Sequence, residues 1–347
     1  MKPNRTLAIS CVALVVTTLG CSVAGSQTPG TPPTVVTSAP TSTPPVLHPL
    51  SGSGGGVIAF VSERDGSGEV FVMNADGSDP RQLTHTTQSL NIDHPDWSPD
   101  GEQIVYQARR GGARTSLLIM QVEDALRGVS GVKPRQLNTK LDSQRPAWSP
   151  DGAPIAFDAW SGRNTSICVV SPSGDDPQCW TETGVDADVF DPSWSPDGSG
   201  IVCAVHSHPR GEDLGWRLYI LDVAGAELDP GGENLSRLVQ VVDSEEDTPA
   251  WSPDGTQIAF SGVRDGQWDL FVTDAEGSEL EQLTDTECDE LHPSWSPDGR
   301  MLVFQANPHG QWDLYLINVD GRGMTRLTTD ESNDCNPSWR PDSYAIP

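Results

Sequence analysis

The sequence Trp251-Ser252-Pro253-Asp254-Gly255 recurs, letter for letter, at residues 97–101, 148–152, 194–198 and 295–299. A sixth, altered copy reads Trp-Arg-Pro-Asp-Ser at residues 339–343. Successive copies begin 44 to 57 residues apart. A period in this range is typical of repeat folds in which each repeat forms one supersecondary unit. The chain is therefore predicted to be an array of six such units.

Each copy is followed by the same succession of short β-rich runs. After Trp251 these runs read QIAFSG, WDLFVTD and LEQLT, and turns rich in Gly and Asp separate them. Pro presets φ, Asp bonds its own backbone and Gly accepts positive φ, so Pro-Asp-Gly is predicted to be a turn. Four strands per repeat predict an antiparallel meander. The apolar runs do not alternate with polar residues, which favours sheets covered on both faces and predicts an all-β, six-bladed β-propeller.

The two ends of the chain complement each other. Residues 56–84 carry three predicted strands with no Trp-Ser-Pro-Asp-Gly strand before them, and residues 336–342 form a predicted inner strand with nothing after it. We therefore expect the last blade to combine one C-terminal strand with three N-terminal strands, which leaves the ring without a free edge.

This pattern resembles the six-bladed propeller repeats of the TolB-like family. That family's signature is Pro-x-Trp-Ser-Pro-Asp-Gly followed by an Ile-Ala-Phe strand, a Leu-Tyr-Val strand and Leu-Thr, and the resemblance covers residues 56–342. It implies the fold and a habit of binding proteins. TolB itself is expected to carry a mixed α/β domain ahead of its propeller, whereas here residues 22–55 read as a linker, so specific partners are not carried over.

The N-terminal segment is predicted to direct export. Residues 1–21 have Lys2 and Arg5 before an apolar core and end in Leu19-Gly20-Cys21, which resembles the end of a bacterial lipobox. Cys21 is therefore predicted to be the diacylated first residue of the mature protein, with ordinary secretion and cleavage near Ala24 as the alternative. Residues 22–55 are rich in Pro, Thr, Ser and Gly and are predicted to be a disordered tether. The propeller is assigned to residues 56–347, outside the cytoplasm.

The charge balance limits the class of partner. The chain has 21 Lys and Arg residues against 49 Asp and Glu residues, a formal net charge of −28. This balance argues against nucleic acid and against anionic membrane surfaces, with the membrane reached only through the lipid anchor. It is compatible with a cationic partner or with a divalent metal ion, and no other cofactor is predicted.

Five of the seven cysteines fall in the propeller. Cys168 and Cys179 lie on successive strands of one meander and could form a disulfide in an oxidising compartment. Cys288 and Cys335 precede the inner strands of adjacent blades and could form a second bridge. Cys203 is expected to be a buried apolar residue.

Repetition indicates scaffold, so function is sought where the copies differ. The repeated tryptophans are assigned to packing between blades: Trp97, Trp148, Trp194, Trp251, Trp295 and Trp339. The Pro-Asp-Gly turns lie on one face of the predicted ring, here the turn face. The loops between second and third strands, and those leading into the inner strands, lie on the opposite loop face, where we expect the binding site.

Three features of the loop face are candidate ligand contacts. The first is an arc of Trp216, Trp268 and Trp312, either packing residues or a platform for sugar or peptide. The second is a ring of polar residues three positions before each repeated Trp, expected at the mouth of the channel and surrounded by many carboxylates: His94, Arg145, Asp191, Thr248, His292 and Asn336. The third is the loop 206–216, in which His206 and His208 are weak candidates for metal ligands.

No catalytic residues are predicted. The chain contains no Gly-x-Ser-x-Gly motif, and no α/β-hydrolase domain is expected after Asp342. The function predicted is a monomeric, non-catalytic, extracytoplasmic binding module for an envelope or extracellular protein or peptide. A propeller that binds or cleaves carbohydrate through the same face is the alternative, with His94 and His292 as its acid and base groups.

Overall fold

The computed structural model of the chain describes residues 56–341, with gaps at 87–89, 129–132, 161, 163, 176, 182–186, 208–213, 224–234 and 238–244. The predicted signal segment, with Cys21, and the predicted tether lie outside the described residues. Within the described part of the chain, no helix has the length and apolar character needed to span a bilayer.

Each repeat forms a blade because the motif builds the turn between its first two strands. In the copy at Trp251, Ser252 Oγ donates to Asp254 Oδ1 at 2.7 Å, and the Thr256 amide donates to the same oxygen at 3.0 Å. Gly255 has a φ of 73°, which an L side chain would disfavour. The turn thus leads the chain from the inner strand directly into an antiparallel partner.

Six four-stranded antiparallel sheets result. From the channel outwards, the strands are, in blade I, β24 (Asp334–Trp339), β1 (Val57–Ser62), β2 (Glu69–Asn74) and β3 (Arg81–Gln82); in blade II, β4 (Leu90–Trp97), β5 (Gln103–Arg110), β6 (Ser116–Gln121) and β7 (Arg135–Gln136); and in blade III, β8 (Asp142–Trp148), β9 (Ile155–Trp160), β10 (Thr165–Val170) and β11 (Gln178–Cys179).

The remaining three blades follow the same order. Their strands are, in blade IV, β12 (Ala187–Trp194), β13 (Gly200–Ser207), β14 (Trp216–Asp222) and β15 (Leu235–Arg237); in blade V, β16 (Glu246–Trp251), β17 (Gln257–Arg264), β18 (Gln267–Asp274) and β19 (Leu280–Gln282); and in blade VI, β20 (Glu290–Trp295), β21 (Met301–Ala306), β22 (Asp313–Asn318) and β23 (Thr325–Arg326). A five-residue helix, α1 (Val122–Leu126), follows β6.

Blade I closes the ring as predicted. The C-terminal strand β24 pairs antiparallel with β1, with Ile58 opposite Trp339 and Ser62 opposite Asp334. Gly56 has a φ of 119°, and a Cβ there would lie 2.4 Å from Trp339 Nε1, so only glycine allows this approach. The predicted all-β, six-bladed fold with a composite last blade is confirmed.

The repeated tryptophans join neighbouring blades in two alternating ways. At three junctions the indole Nε1 donates to a carbonyl of the preceding inner strand: Trp97 to Ser338, Trp194 to Ala147 and Trp295 to Ala250. At the other three, the backbone amide donates to a side chain of the preceding inner strand: Trp148 to Asp96, Trp251 to Ser193 and Trp339 to Ser294. The two kinds of hydrogen bond therefore alternate from junction to junction around the ring. The motif sequence does not reveal this alternation, because it is the same in five of the six blades.

The cysteines follow the predictions in part. Cys168 and Cys179 face each other across β10 and β11 and form a disulfide. Cys203 is a buried free thiol. The predicted bridge between Cys288 and Cys335 is wrong, because Cys288 is a free thiol whose sulfur lies 3.0 Å from Thr286 Oγ1 and 3.2 Å from a carboxylate oxygen of Glu290.

We expect Trp339→Ala to lower the free energy of unfolding by about 3–5 kcal/mol, because it opens a cavity at the closing strand. Trp339 is 5% exposed, whereas Trp160 is 46% exposed. The matched control Trp160→Ala should change the free energy by no more than about 0.5 kcal/mol. Urea unfolding followed by fluorescence measures both, and equal effects of the two substitutions would contradict the account of closure.

Candidate functional site

A cavity of about 700 Å³ lies along the axis of the propeller. Its wall consists of the six inner strands and the turns that follow them, from the ring of polar residues at one end to the Pro-Asp-Gly turns at the other. Proline and tryptophan supply much of the apolar surface. A mostly apolar cavity of this size with a few polar groups is typical of a binding site.

The ring of polar residues lies deeper than predicted. All six residues have positive φ, between 44° and 55°, and each precedes a proline. The pairing register of each inner strand shifts at this point, so each residue sits in a β-bulge that turns its side chain towards the axis. The ring is consequently the inner end of a cavity that extends to the turn face, and the expectation that it forms a mouth on the loop face is wrong.

Arg145 organises one half of the ring. Its guanidinium lies 3.2 Å from Asp158 Oδ2 and 3.1 Å from Asp191 Oδ1, and it stacks over Phe190 at 5.3 Å from the ring centroid. Burial raises the pKa of Asp191 to about 7, although the Arg145 charge acts to lower it. Asp247 adds a further nearby negative charge that raises the pKa of Asp191. One cation thus holds together three carboxylates from three consecutive blades.

Two histidines and an asparagine form the other half of the ring. The rings of His94 and His292 meet edge to face, with centroids 5.3 Å apart. Asn336 Nδ2 donates to Asp93 Oδ1, and His94 Nδ1 lies 3.5 Å from the same oxygen. Burial, reinforced by the neighbouring His94, lowers the pKa of His292 to about 3, so this imidazole is neutral at neutral pH. The neutral His292 imidazole lies near Asp93, whose carboxylate already accepts a hydrogen bond from Asn336. Such an imidazole suits hydrogen bonding to a ligand.

Thr248 completes the ring and forms its hydrogen bonds within its own blade. Its hydroxyl lies 2.8 Å from Ser261 Oγ, and its backbone amide donates a hydrogen bond to Asp247 Oδ1 at 2.9 Å. Thr248 therefore has a clear structural role.

Asp96 is the wall residue that sequence analysis missed. The equivalent position before each repeated Trp is Ala147, Ser193, Ala250, Ser294 or Ser338, so this carboxylate is unique to blade II. It accepts hydrogen bonds from the Trp148 amide at 2.7 Å and from Ser338 Oγ at 3.1 Å. Burial raises the pKa of Asp96 to about 6. The departure from Ala or Ser at a repeated position was the available signal.

The arc of tryptophans lies apart from the cavity. Trp216, Trp268 and Trp312 are half-buried at the start of their third strands, and none of them lines the cavity. Trp216 stacks on His206 at 4.9 Å between centroids and contacts Phe190 at 5.2 Å. These contacts give Trp216 the role of a packing residue.

Much of the expected acidic rim is internal. Asp93, Glu246, Glu290 and Asp334 are buried, whereas Glu245 and Glu331 are exposed. Other members clasp adjacent blades: Asp188 Oδ1 accepts from the Thr165 amide at 2.6 Å, and Asp289 Oδ1 from the Trp268 amide at 3.4 Å. The carboxylates counted from sequence thus serve the scaffold as much as the surface.

The metal hypothesis gains no support from the described residues. His206 packs against Trp216, and His208 lies outside the described residues. Among the residues described, no three His, Cys, Asp or Glu side chains are arranged to hold a metal ion.

Known proteins share this architecture. The model of the TolB β-propeller domain family, PD40, matches residues 37–227 and 233–346. A TolB homolog from Chlorobium luteolum is 31% identical over 172 residues, which are 49% of this chain and 35% of that protein. The chain spans between 16% and 62% of the length of the curated relatives it matches.

Solved structures agree on the fold. TolB from Acinetobacter baumannii superimposes with a TM-score of 0.67 at 23% identity, covering 84% of this chain and 68% of that one. A puromycin-hydrolyzing peptidase from Mycobacterium tuberculosis superimposes with a TM-score of 0.51 at 17% identity, covering 71% of this chain and 40% of that one. Propellers of this shape thus occur both in TolB and in peptidases.

The raised pKa of Asp96 predicts a pH-dependent cost of folding. Its folded-state pKa of about 6 exceeds the usual value of 3.8, so the folded protein binds the proton more tightly. Wild-type stability should therefore lose roughly 1–3 kcal/mol relative to Asp96→Asn as pH rises from about 4 to about 6. Urea unfolding across this range measures the difference.

Asp197→Asn is the matched control. Hydrogen bonds from Ser195 and Ser199 lower the pKa of Asp197 to about 2, so its stabilising effect is lost only as pH falls below about 4. The control difference should stay flat between pH 4 and 6. A flat difference for Asp96→Asn as well would show that the cavity solvates this carboxylate fully.

Proposed function

The chain belongs to the TolB β-propeller domain family, and from this premise we propose that it is an exported, non-catalytic binding module whose axial cavity receives an extended, positively charged segment of a partner protein. The observation that carries the proposal is the cavity itself, with polar groups that differ from blade to blade at its inner end. Six different environments around one axis suit a single asymmetric ligand. A peptide segment enters between the Pro-Asp-Gly turns.

Charge selects the class of segment. Two arginines, Arg145 and Arg340, line the cavity, and Arg145 is already paired with Asp158 and Asp191. The carboxylates among the lining residues outnumber these arginines: Asp96, Asp191, Asp197 and Asp254. The cavity is therefore short of positive charge. A lysine side chain or a free amino terminus would complete it, whereas an acidic segment would be repelled.

A binding role rather than catalysis is supported by the chemistry of the wall. Among the described lining residues no serine or threonine hydroxyl is hydrogen-bonded to a histidine, and the Ser338 hydroxyl donates to Asp96, which also accepts from the Trp148 amide of the next blade. His292 is held neutral beside His94. The likeness to peptidases lies in the shared propeller. We assign no hydrolytic chemistry to this chain.

The location follows from the first 55 residues. We propose that residues 1–20 are removed on export, that Cys21 becomes the first residue and carries the lipid, and that residues 22–55 tether a monomeric propeller at the outer surface of the membrane that it leaves. The segment contains seven prolines between residues 22 and 55, which favour an extended chain.

Site-specific photo-cross-linking in intact cells tests the cavity. A photoreactive residue at Pro253, on the turn that lines the cavity, should capture a discrete partner protein, whereas one at Glu279, exposed on the outer edge of the same blade, should not. Asp96→Asn should reduce capture about tenfold, because it removes a charge that pairs with the segment. Equal capture from both positions, or capture unaffected by Asp96→Asn, would contradict the cavity as the site.

Lipid attachment is tested separately. Growth with an alkyne-labelled fatty acid should label the wild type and leave Cys21→Ser unlabelled, and the variant should leave the membrane fraction. Labelling that persists in the variant would contradict the assignment of Cys21.

A further inference from the structure

Four exposed basic side chains cluster on the loop face above blades II and III. Arg109 and Arg110 end β5, Arg114 lies in the loop that follows, and Lys140 precedes β8. The cluster is spatially continuous, since Arg114 Nη1 donates to the Lys140 carbonyl at 3.2 Å and Arg109 Nε donates to the Ala113 carbonyl at 3.2 Å. A defined turn therefore presents these cations together.

None of these four groups has an acidic partner among the described residues, although the chain holds 49 carboxylates against 21 Lys and Arg residues. Asp142, two residues after Lys140, already accepts a hydrogen bond from the Thr115 amide at 2.8 Å. In a protein with such an excess of negative charge, a concentration of unpaired cations requires a separate explanation. It fits an anionic ligand from outside the chain.

An exposed tryptophan borders the cluster. Trp160 ends β9 and lies opposite Asp142 across the β8–β9 pair. Asp142 follows Lys140 by two residues, so the tryptophan lies at the edge of the basic cluster. Its side chain is 46% exposed, and no other tryptophan in the described part of the chain is as exposed. An indole face next to arginine forks offers stacking and paired hydrogen bonds in one surface.

We propose that Arg109, Arg110, Arg114, Lys140 and Trp160 form a binding surface for a linear anionic polysaccharide, with the indole stacked on a sugar ring and the basic groups paired with its acidic substituents. This surface, the basic patch, is separate from the axial cavity, which opens on the turn face. The net charge of the chain argues against nucleic acid and anionic membrane surfaces, whereas this local group of cations suits an anionic polymer.

A single polymer chain fits this surface better than an anionic membrane. Among the described residues, Trp160 is the one large exposed apolar group beside the patch, whereas stable insertion into a bilayer needs several. A flat membrane would also meet Glu245 and Glu331, which are exposed at loops of other blades on the same face. A polymer crossing blades II and III avoids these carboxylates, which lie in the loops that lead into blades V and I.

Titration calorimetry of the intact protein with dextran sulfate tests the proposal, and neutral dextran serves as the uncharged control polymer. We expect binding to dextran sulfate alone, weakened by added salt. Arg110→Gln/Lys140→Gln should lower the affinity about tenfold through loss of two exposed charge pairs. Trp160→Ala should lower it several-fold with an unchanged free energy of unfolding.

Arg300→Gln/Arg322→Gln is the control, because it removes two exposed arginines from the turn face with the same change in net charge. It should bind as the wild type does. Absence of binding to dextran sulfate, or equal losses in both double variants, would overturn the proposal. Tighter binding to vesicles of anionic phospholipid, abolished by Arg110→Gln/Lys140→Gln, would overturn it in favour of a membrane surface.

Discussion

The pairing of β24 with β1 is the constraint on which the rest of the molecule depends. It joins the C-terminal strand to the first strand of the described chain and completes a sixth blade from segments more than 270 residues apart. The same strand supplies Asn336 to the polar ring and the Ser338 carbonyl to Trp97. Without this pairing the cavity would lack one of its six walls. The candidate site therefore depends on the same contact that closes the fold.

The repeats made the fold predictable, because a fivefold exact motif fixes the period, the turn and the strand order. The depth of the polar ring was not predictable from spacing alone. His94 and its equivalents sit in β-bulges with positive φ, and a bulge depends on pairing across strands. The proline after each ring residue was a signal for that irregularity. The disulfide expected between Cys288 and Cys335 failed for a related reason, since sequence shows blade order and says little about side-chain direction.

The charges of the site were hardest to anticipate. Arg145 meets Asp158 within its own blade and Asp191 in the next, and Asp247 from the blade after that lies close enough to act on the same guanidinium. Net charge alone argued only against nucleic acid and anionic membrane surfaces. The structure instead buries many carboxylates between blades and leaves unpaired cations on one sector of the loop face. The two faces therefore suit ligands of opposite charge, a cationic segment in the cavity and an anionic polymer on the basic patch.

Hydrogen exchange of the intact protein, followed by mass spectrometry, tests the central claim most directly. If the ring is closed, the backbone amides of β24 exchange as slowly as those of β17 or β21, because all of them are released only by global unfolding. Peptides spanning Asp334–Trp339 would then be among the slowest to exchange. Rapid exchange of these peptides alongside slow exchange in the other inner strands would contradict the account, since it would show an open ring with no sixth wall to the cavity.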